Sequence, residues 1–365
     1  MSAVLFTEHP TADGHLIGEI RLNAERSLNS LTLEMIDLIQ PQLDRWRDDK
    51  RVVAVLLDSE GSKAFCAGGD IVNLYKAMSG GDADFLEQFF GREYRLDYCL
   101  HTYAKPVICW GSGIVMGGGM GLMNGCSHRV VTETSHLAMP EVTIGLYPDV
   151  GGSWFLNRMP GGTGLFLGLT GNPVNARDAL FLGLADRAVR ADLRDGLVGR
   201  LAAEDWSRDA GGTVSRVLRE LESESRPAFA GMASPIRDHF DLVRTLTDHD
   251  SVEDVVAALL ALDTEDKWVR RAQKAVRNGS PLSLRLIAEQ LGRCRHLSLR
   301  EVFQREFELS VQCCRYREVR EGVRALLIDK DNNPDWTFKS VGEVDENVLA
   351  GLFASPWDDN PLADL

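Results

Sequence analysis

MGGGMGLMNGCSHRVVTETSHLAMPEVTIGLYPDVGG, residues 116–152, places three consecutive glycines ahead of two acids, Glu141 and Asp149. Glycines opening a helix expose backbone N–H groups and the positive end of its dipole, with no side chain in the way. The acids follow in a segment otherwise short of charge, where a carboxylate is costly without a role or a partner. An earlier stretch, FCAGGD at 65–70, repeats the glycine theme with Gly68 and Gly69. Two such loops, each after a buried strand, supply the two donors of an oxyanion hole. Removing one such donor typically costs about 3–4 kcal/mol of transition-state stabilisation. Each feature also has a plain structural reading. The glycines suit tight turns or close strand–helix packing, Asp149 suits a helix cap, and Glu141 suits a partly solvated loop.

Outward from this stretch the first half alternates strands and helices. His15–Leu22 alternates like a strand. Leu31–Trp46 has helical spacing, with Ser30 as N-cap and Pro41 as an interruption. Val52–Leu57, VVAVLL, reads as a strand buried on both faces, and Pro106–Trp110 and Arg129–Thr132 as two more, the last after a very short helix. Residues 84–103 read as helix. From about residue 190 the chain turns charged, amphipathic and helical, with breaks expected at Gly211–Gly212, Arg226–Pro227 and Gly279–Pro281. The expectation is an α/β core over 1–190 carrying the site, then a mainly helical region, 191–365, supplying a lid or oligomer contacts. The acidic tail after Pro334 shows little pattern.

The 365 residues carry a net charge of −14, which disfavours non-specific nucleic-acid binding but not an anionic ligand held by a few local cations. The odd count of seven cysteines, with no CxxC, indicates neither a disulfide framework nor a zinc ribbon, and no metal-ligand spacing occurs among the eight histidines. No basic residue precedes Arg21, so no targeting peptide is expected and the expected location is cytoplasmic. The longest uncharged stretch, Pro106–Ser127, holds seven glycines and reads as a strand–turn–helix rather than a membrane span. VICWGSGIVMG followed by Glu133 imitates a dinucleotide-binding unit, but its spacing is GxGxxxG and its helix is short for such a crossover. GxSxG and Walker A motifs are absent. Cys66 reads as a packing residue.

FCAGGD, MGGGMGL and MPEVTIGLYPDVGG, in this order and spacing, resemble the enoyl-CoA hydratase/isomerase (crotonase) superfamily. Glu141 with Asp149, GSPLSLRL and residues 321–336 resemble its 3-hydroxyisobutyryl-CoA hydrolase branch. The similarity runs from about residue 12 to 340. It implies a spiral of ββα units with a helical C-terminal region, an acyl-CoA substrate and no separate cofactor. By this resemblance Gly69 and Gly118 are the oxyanion donors, and Ala67, Gly68 and Asp70 lie in the CoA-binding loop. Glu141 is the nucleophile or base, Asp149 the second acid, and Glu93 a substrate-contacting acid. Gly121 stands where the hydratases carry their second glutamate. LNAERSLNSL lacks the family's usual proline, and Arg26 and Lys330 are the candidate phosphate partners. The resemblance implies hydrolysis of a short branched β-hydroxyacyl-CoA, 3-hydroxyisobutyryl-CoA in valine degradation. Enoyl-CoA hydration or isomerisation and non-catalytic CoA binding are the alternatives. A homo-oligomer is left open.

Overall fold

The computed structural model describes Ser2–Leu365 and divides the chain into two compact units. The first comprises the chain up to Gly69 with Leu96–Leu137 and Val174–Ser234; the second comprises Asp70–Arg95, Ala138–Pro173 and Pro235–Leu365.

In the first unit, β1 (Val4–Pro10) pairs antiparallel with β2 (Leu16–Leu22). β3 (Val52–Ser59), β5 (Val107–Gly111), β7 (His128–Val131) and β9 (Arg187–Ala188) extend the sheet in parallel, in the order β1-β2-β3-β5-β7-β9. A second sheet holds three short strands in the order β4 (Ala64–Cys66), β6 (Ile114–Met116) and β8 (His136–Ala138). Each of β3, β5 and β7 is thus followed by a short strand in the other sheet and then by a helix or helical turn. β3 and β4 lead to the helix Ile71–Gly80, β5 and β6 to Gly118–Gly125, and β7 and β8 to the 3-10 turn Glu141–Ile144. This is the strand–strand–helix repeat expected of the fold.

The apolar runs explain the first unit's core. Ala54 and Leu56, Ile108 and Trp110, and Ile17 and Val130 line one sheet face, as the two-residue period of strands requires. Against them lie Val214, Val217, Leu218 and Leu221, spaced as one stripe of the helix Ala210–Phe229. Burying each such side chain is worth about 1.5–3 kcal/mol.

Several local expectations need correction. The first helix runs Leu33–Asp48 and is capped by Thr32, whose hydroxyl accepts from Met35 N–H, so Ser30 is not the cap. Pro41 lies inside that helix without ending it. Gly211 and Gly212 do not break the chain. They sit in the first turn of Ala210–Phe229, where N–H groups have no intrahelical acceptor in any case. Pro227 falls in that helix's last turn rather than at a break. At Gly279–Pro281 the break is real: Ser280 caps the next helix and Pro281 occupies its first position. The segment 299–319 is two helices, Leu299–Arg315 and Arg317–Val323. Ile71–Gly80, capped by Asp70, was not foreseen. The tail carries the helix Glu346–Leu352 and buries Trp336, Leu349 and Leu362.

Candidate active site

Within the first unit the two glycine loops meet. Gly68 takes a φ of +116°, a left-handed conformation that side chains disfavour, and a Cβ there would come 3.5 Å from the Met116 carbonyl. At Gly119 a Cβ would lie 2.4 Å from the Cys66 carbonyl oxygen, so only glycine lets the helix Gly118–Gly125 start this close to β4. Leu31 N–H donates to Gly68 O (2.8 Å), so the bridge between Leu31 and Gly69 uses the carbonyl of the preceding glycine. Among the described residues none accepts a hydrogen bond from the N–H of Gly69 or of Gly118, the first residue of its helix. Ala67 is half-buried beside them, its N–H donating to Leu28 O. Gly121 is buried in the same short helix and brings no acid. Arg26 and Lys330 are both exposed.

Asp70 begins the second unit. Its carboxylate accepts from Asn73 N–H (3.1 Å) and from the Asn73 side-chain amide, so it is engaged as a helix cap.

The three other acids lie together in the second unit. Glu93 is on the helix Ala83–His101, Glu141 opens the turn Glu141–Ile144, and Asp149 follows in the loop. All are buried, at 2%, 5% and 6% exposure, with no ion-pair partner among the described residues. Burial first, then the charge of Asp149, pushes the carboxyls of Glu93 and Glu141 far above the usual range. Burial pushes Asp149 up to about 6, although a hydrogen bond from Tyr94 opposes it. Three carboxyls without a cation among them cannot all be ionised. Glu93 Oε1 and Glu141 Oε2 have no hydrogen-bond partner among the described residues, and such orphaned atoms call for an explanation.

The turn carrying Glu141 is pinned by Leu146 N–H donating to Glu141 O (3.1 Å), by Ser280 N–H donating to Val142 O (3.1 Å) and by Thr143 Oγ1 donating to Pro140 O (2.7 Å). Asp149 is not the cap of the helix Gly152–Leu156. That helix start is held instead by the carboxylate of Glu306, which accepts from Gly151 N–H (2.7 Å) and Ser153 N–H (2.8 Å). Burial pushes Glu306 up to about 8. Between Asp149 and this clamp, Val150 has a φ of +52°, a genuine strain for a β-branched residue and of order 1–3 kcal/mol. The clamp holds the strained backbone in place and so fixes Asp149.

Four residues of this cluster were missed in the sequence: Tyr94, Tyr147, Glu306 and Ser310. The Tyr94 hydroxyl lies 2.6 Å from Asp149 Oδ2 and 2.7 Å from Ser310 Oγ. The Tyr147 hydroxyl donates to Glu306 O (2.8 Å) and lies 2.8 Å from Ser310 Oγ. One signal was available. Glu306 and Ser310 occupy the face of Leu299–Arg315 that also buries Phe303, Phe307 and Cys314, and polar groups in an apolar stripe ask for partners.

The dinucleotide-like stretch forms no such site. The helix between β5 and β7 is Gly118–Gly125, and Glu133 accepts from Ala191 N–H. All seven cysteines are buried free thiols. Among the described residues no cluster of His, Cys, Asp or Glu suits a metal ion, and no helix is long and apolar enough to cross a membrane.

Residues 17–353 match the model of the enoyl-CoA hydratase/isomerase family. The chain is 35% identical to the mitochondrial 3-hydroxyisobutyryl-CoA hydrolase of Xenopus tropicalis, over 96% of this chain and 91% of that protein. It is 37% identical to the protein of the same name from Danio rerio (93% and 87% covered) and 35% identical to that of Homo sapiens (93% and 86%). These names place those relatives in mitochondria, which differs from the cytoplasmic location expected above. Among solved structures, an enoyl-CoA hydratase from Rhodobacter sphaeroides superposes with a TM-score of 0.84 at 34% identity, over 97% of this chain and 98% of that one. A carnitinyl-CoA dehydratase from Mycobacterium thermoresistibile gives 0.86 at 33%, over 99% and 98%.

Proposed function

Because the chain belongs to the enoyl-CoA hydratase/isomerase family, we propose that it hydrolyses a short branched β-hydroxyacyl-CoA thioester, 3-hydroxyisobutyryl-CoA, to the free acid and CoA, a step of valine degradation. The observation that carries this reading is the buried pair Glu141 and Asp149, set against Gly121, which leaves the water-addition chemistry of the hydratases without its second acid. The full-length similarity to proteins named 3-hydroxyisobutyryl-CoA hydrolase supports it.

In this reading the free N–H groups of Gly69 and Gly118 stabilise the oxyanion that forms when the thioester carbonyl is attacked. Glu141 acts in one of two ways. As nucleophile it forms a mixed anhydride, expels the thiolate, and is released when water opens the anhydride. As base it takes a proton from the attacking water. Asp149 protonates the departing sulfur, or it joins Glu93 in holding the substrate's hydroxyl. Ala67, Gly68 and Asp70 border the CoA end of the substrate, and the helical region 191–365 serves as lid or oligomer contact. Light scattering of the purified protein tests the oligomer part.

A second reading is enoyl-CoA hydration, favoured by the name of the solved enoyl-CoA hydratase from Rhodobacter sphaeroides. One assay separates the readings: acyl-CoA thioesters are offered, and free thiol and enoyl absorbance are followed together. Thiol release from 3-hydroxyisobutyryl-CoA is expected, with a loss of at least about 100-fold in kcat for Glu141→Gln, the scale of general acid–base catalysis. Loss of enoyl absorbance without thiol would overturn hydrolysis. Turnover of neither kind would leave CoA binding.

A further inference from the structure

Four contacts link Asp149 to a backbone carbonyl. They run from Asp149 Oδ2 to Tyr94 (2.6 Å), from Tyr94 to Ser310 (2.7 Å), from Ser310 to Tyr147 (2.8 Å), and from Tyr147 to Glu306 O (2.8 Å). Each hydroxyl has one proton to donate, and the carbonyl at the far end only accepts. With Asp149 ionised, three hydroxyl protons serve four contacts, so one short oxygen–oxygen contact faces lone pair to lone pair. With Asp149 protonated, four protons serve four contacts, all donating in one direction from Asp149 to Glu306 O. Tyr94 and Ser310 are 0% exposed and Tyr147 is 1% exposed, so solvent cannot supply the missing donor.

We infer that Ser310 and Tyr147 are positioning residues that hold Asp149 in its protonated form, ready to deliver that proton to the leaving thiolate. The delivery step rests on the thioester reading; the hydroxyl chain does not. As the carbon–sulfur bond breaks, the electron pair goes to sulfur and the proton moves from Asp149 to it. The carboxylate left behind regains a proton from the water that completes hydrolysis, and the chain is again fully bonded. The charges of the groups facing Asp149 act in the same direction, against the hydrogen bond from Tyr94 that favours the carboxylate. Glu93, Glu141 and Glu306 are acids, and the thiols of Cys313 and Cys314 and the two tyrosines likewise gain only negative charge. One helix face supplies the middle and the far end of the chain, because Glu306 and Ser310 are one turn apart on Leu299–Arg315.

Deleting either hydroxyl frees the mismatch. In Ser310→Ala, Tyr94 donates to ionised Asp149 and Tyr147 donates to Glu306 O, with no contact left over. In Tyr147→Phe, the Ser310 proton is free for Tyr94. Both variants therefore favour the carboxylate. The experiment is a 13C-carboxyl NMR titration of the full chain, with the Asp149 signal assigned by its loss in Asp149→Asn, alongside the pH profile of kcat for thiol release. The expected result is a fall in the Asp149 midpoint of about one pH unit in both variants, the worth of one neutral hydrogen bond. The alkaline limb of kcat moves down with it. An unchanged or raised midpoint in both variants overturns the chain. A lowered midpoint with a fixed alkaline limb overturns the delivery of this proton to sulfur. A wild type that releases no thiol overturns the thioester reading, while the NMR midpoints still decide the chain.

Discussion

At the scale of single residues, this protein gives up stability to keep acids out of water. Burial pushes the Asp149 carboxyl up to about 6 in the fold, against near 3.9 in an unfolded chain. Below pH 4 both states hold the proton and nothing is lost. Between roughly pH 4 and 6 the folded state keeps a proton that the unfolded state releases, so stability falls as pH rises. Above 6 the loss is complete, at most about 3 kcal/mol. Asp149→Asn has no such loss. Its stability relative to wild type is expected to climb through this window by up to that amount, as read by urea unfolding at a series of pH values. A difference that stays flat from pH 4 to 7 would contradict the burial argument. Asp149→Asn is also expected to lower kcat for thiol release by about 100-fold or more if Asp149 is the proton donor proposed above.

At the scale of elements, short stiff pieces hold the reactive atoms. Leu299–Arg315 presents the Glu306 carboxylate to Gly151 and Ser153 and so clamps the strained backbone beside Asp149. Glu306→Ala leaves two buried N–H groups unsatisfied, at about 1–3 kcal/mol for each such group. Denaturant midpoints should show that loss, and thiol release should fall with it as Asp149 loses its position. The glycine loops offer a matching test. Gly119→Ala drives a Cβ to 2.4 Å from the Cys66 carbonyl, a backbone atom with little freedom to yield. The helix carrying Gly118 must then move away from β4. The expected cost is about 1–3 kcal/mol of stability, with kcat falling more than KM rises if the displaced Gly118 N–H is the proposed oxyanion donor. Unchanged kcat would remove Gly118 from the oxyanion role.

At the scale of the whole molecule, the first compact unit has an interior of its own. Leu218 is fully buried in the first unit's core, in the same apolar cluster as the sheet residues Leu56, Ile108 and Trp110. Leu218→Ala is expected to cost about 2–5 kcal/mol, visible as a lowered urea midpoint. A cost below 1 kcal/mol would mean the helix Ala210–Phe229 adds little to that core. The cationic sites that a chain of net charge −14 needs for an anionic substrate do not follow from the sum of charges. They depend on which side chains the fold leaves unpaired.

Much of the fold was legible because it rests on local patterns. Continuous apolar runs named the parallel strands, and the glycine spacing named both loops that meet beside Cys66. Where the reading failed, context overrode the local rule. The glycines at 211 and 212 fell where a helix tolerates them, and Thr32 rather than Ser30 had the geometry to cap. The sequence alone carried the α/β alternation, the two glycine loops and the acids Glu141 and Asp149, since each is a matter of residue type and spacing along the chain, while the meaning of the glycine at 121 came from the resemblance to a known family. Only the tertiary structure decided that Asp149 is no helix cap, that Glu306 clamps the backbone beside it, and that Tyr94, Ser310 and Tyr147 connect it to a carbonyl. Those partners are far apart in sequence, and a hydrogen bond is set by distance in space, which no local pattern encodes.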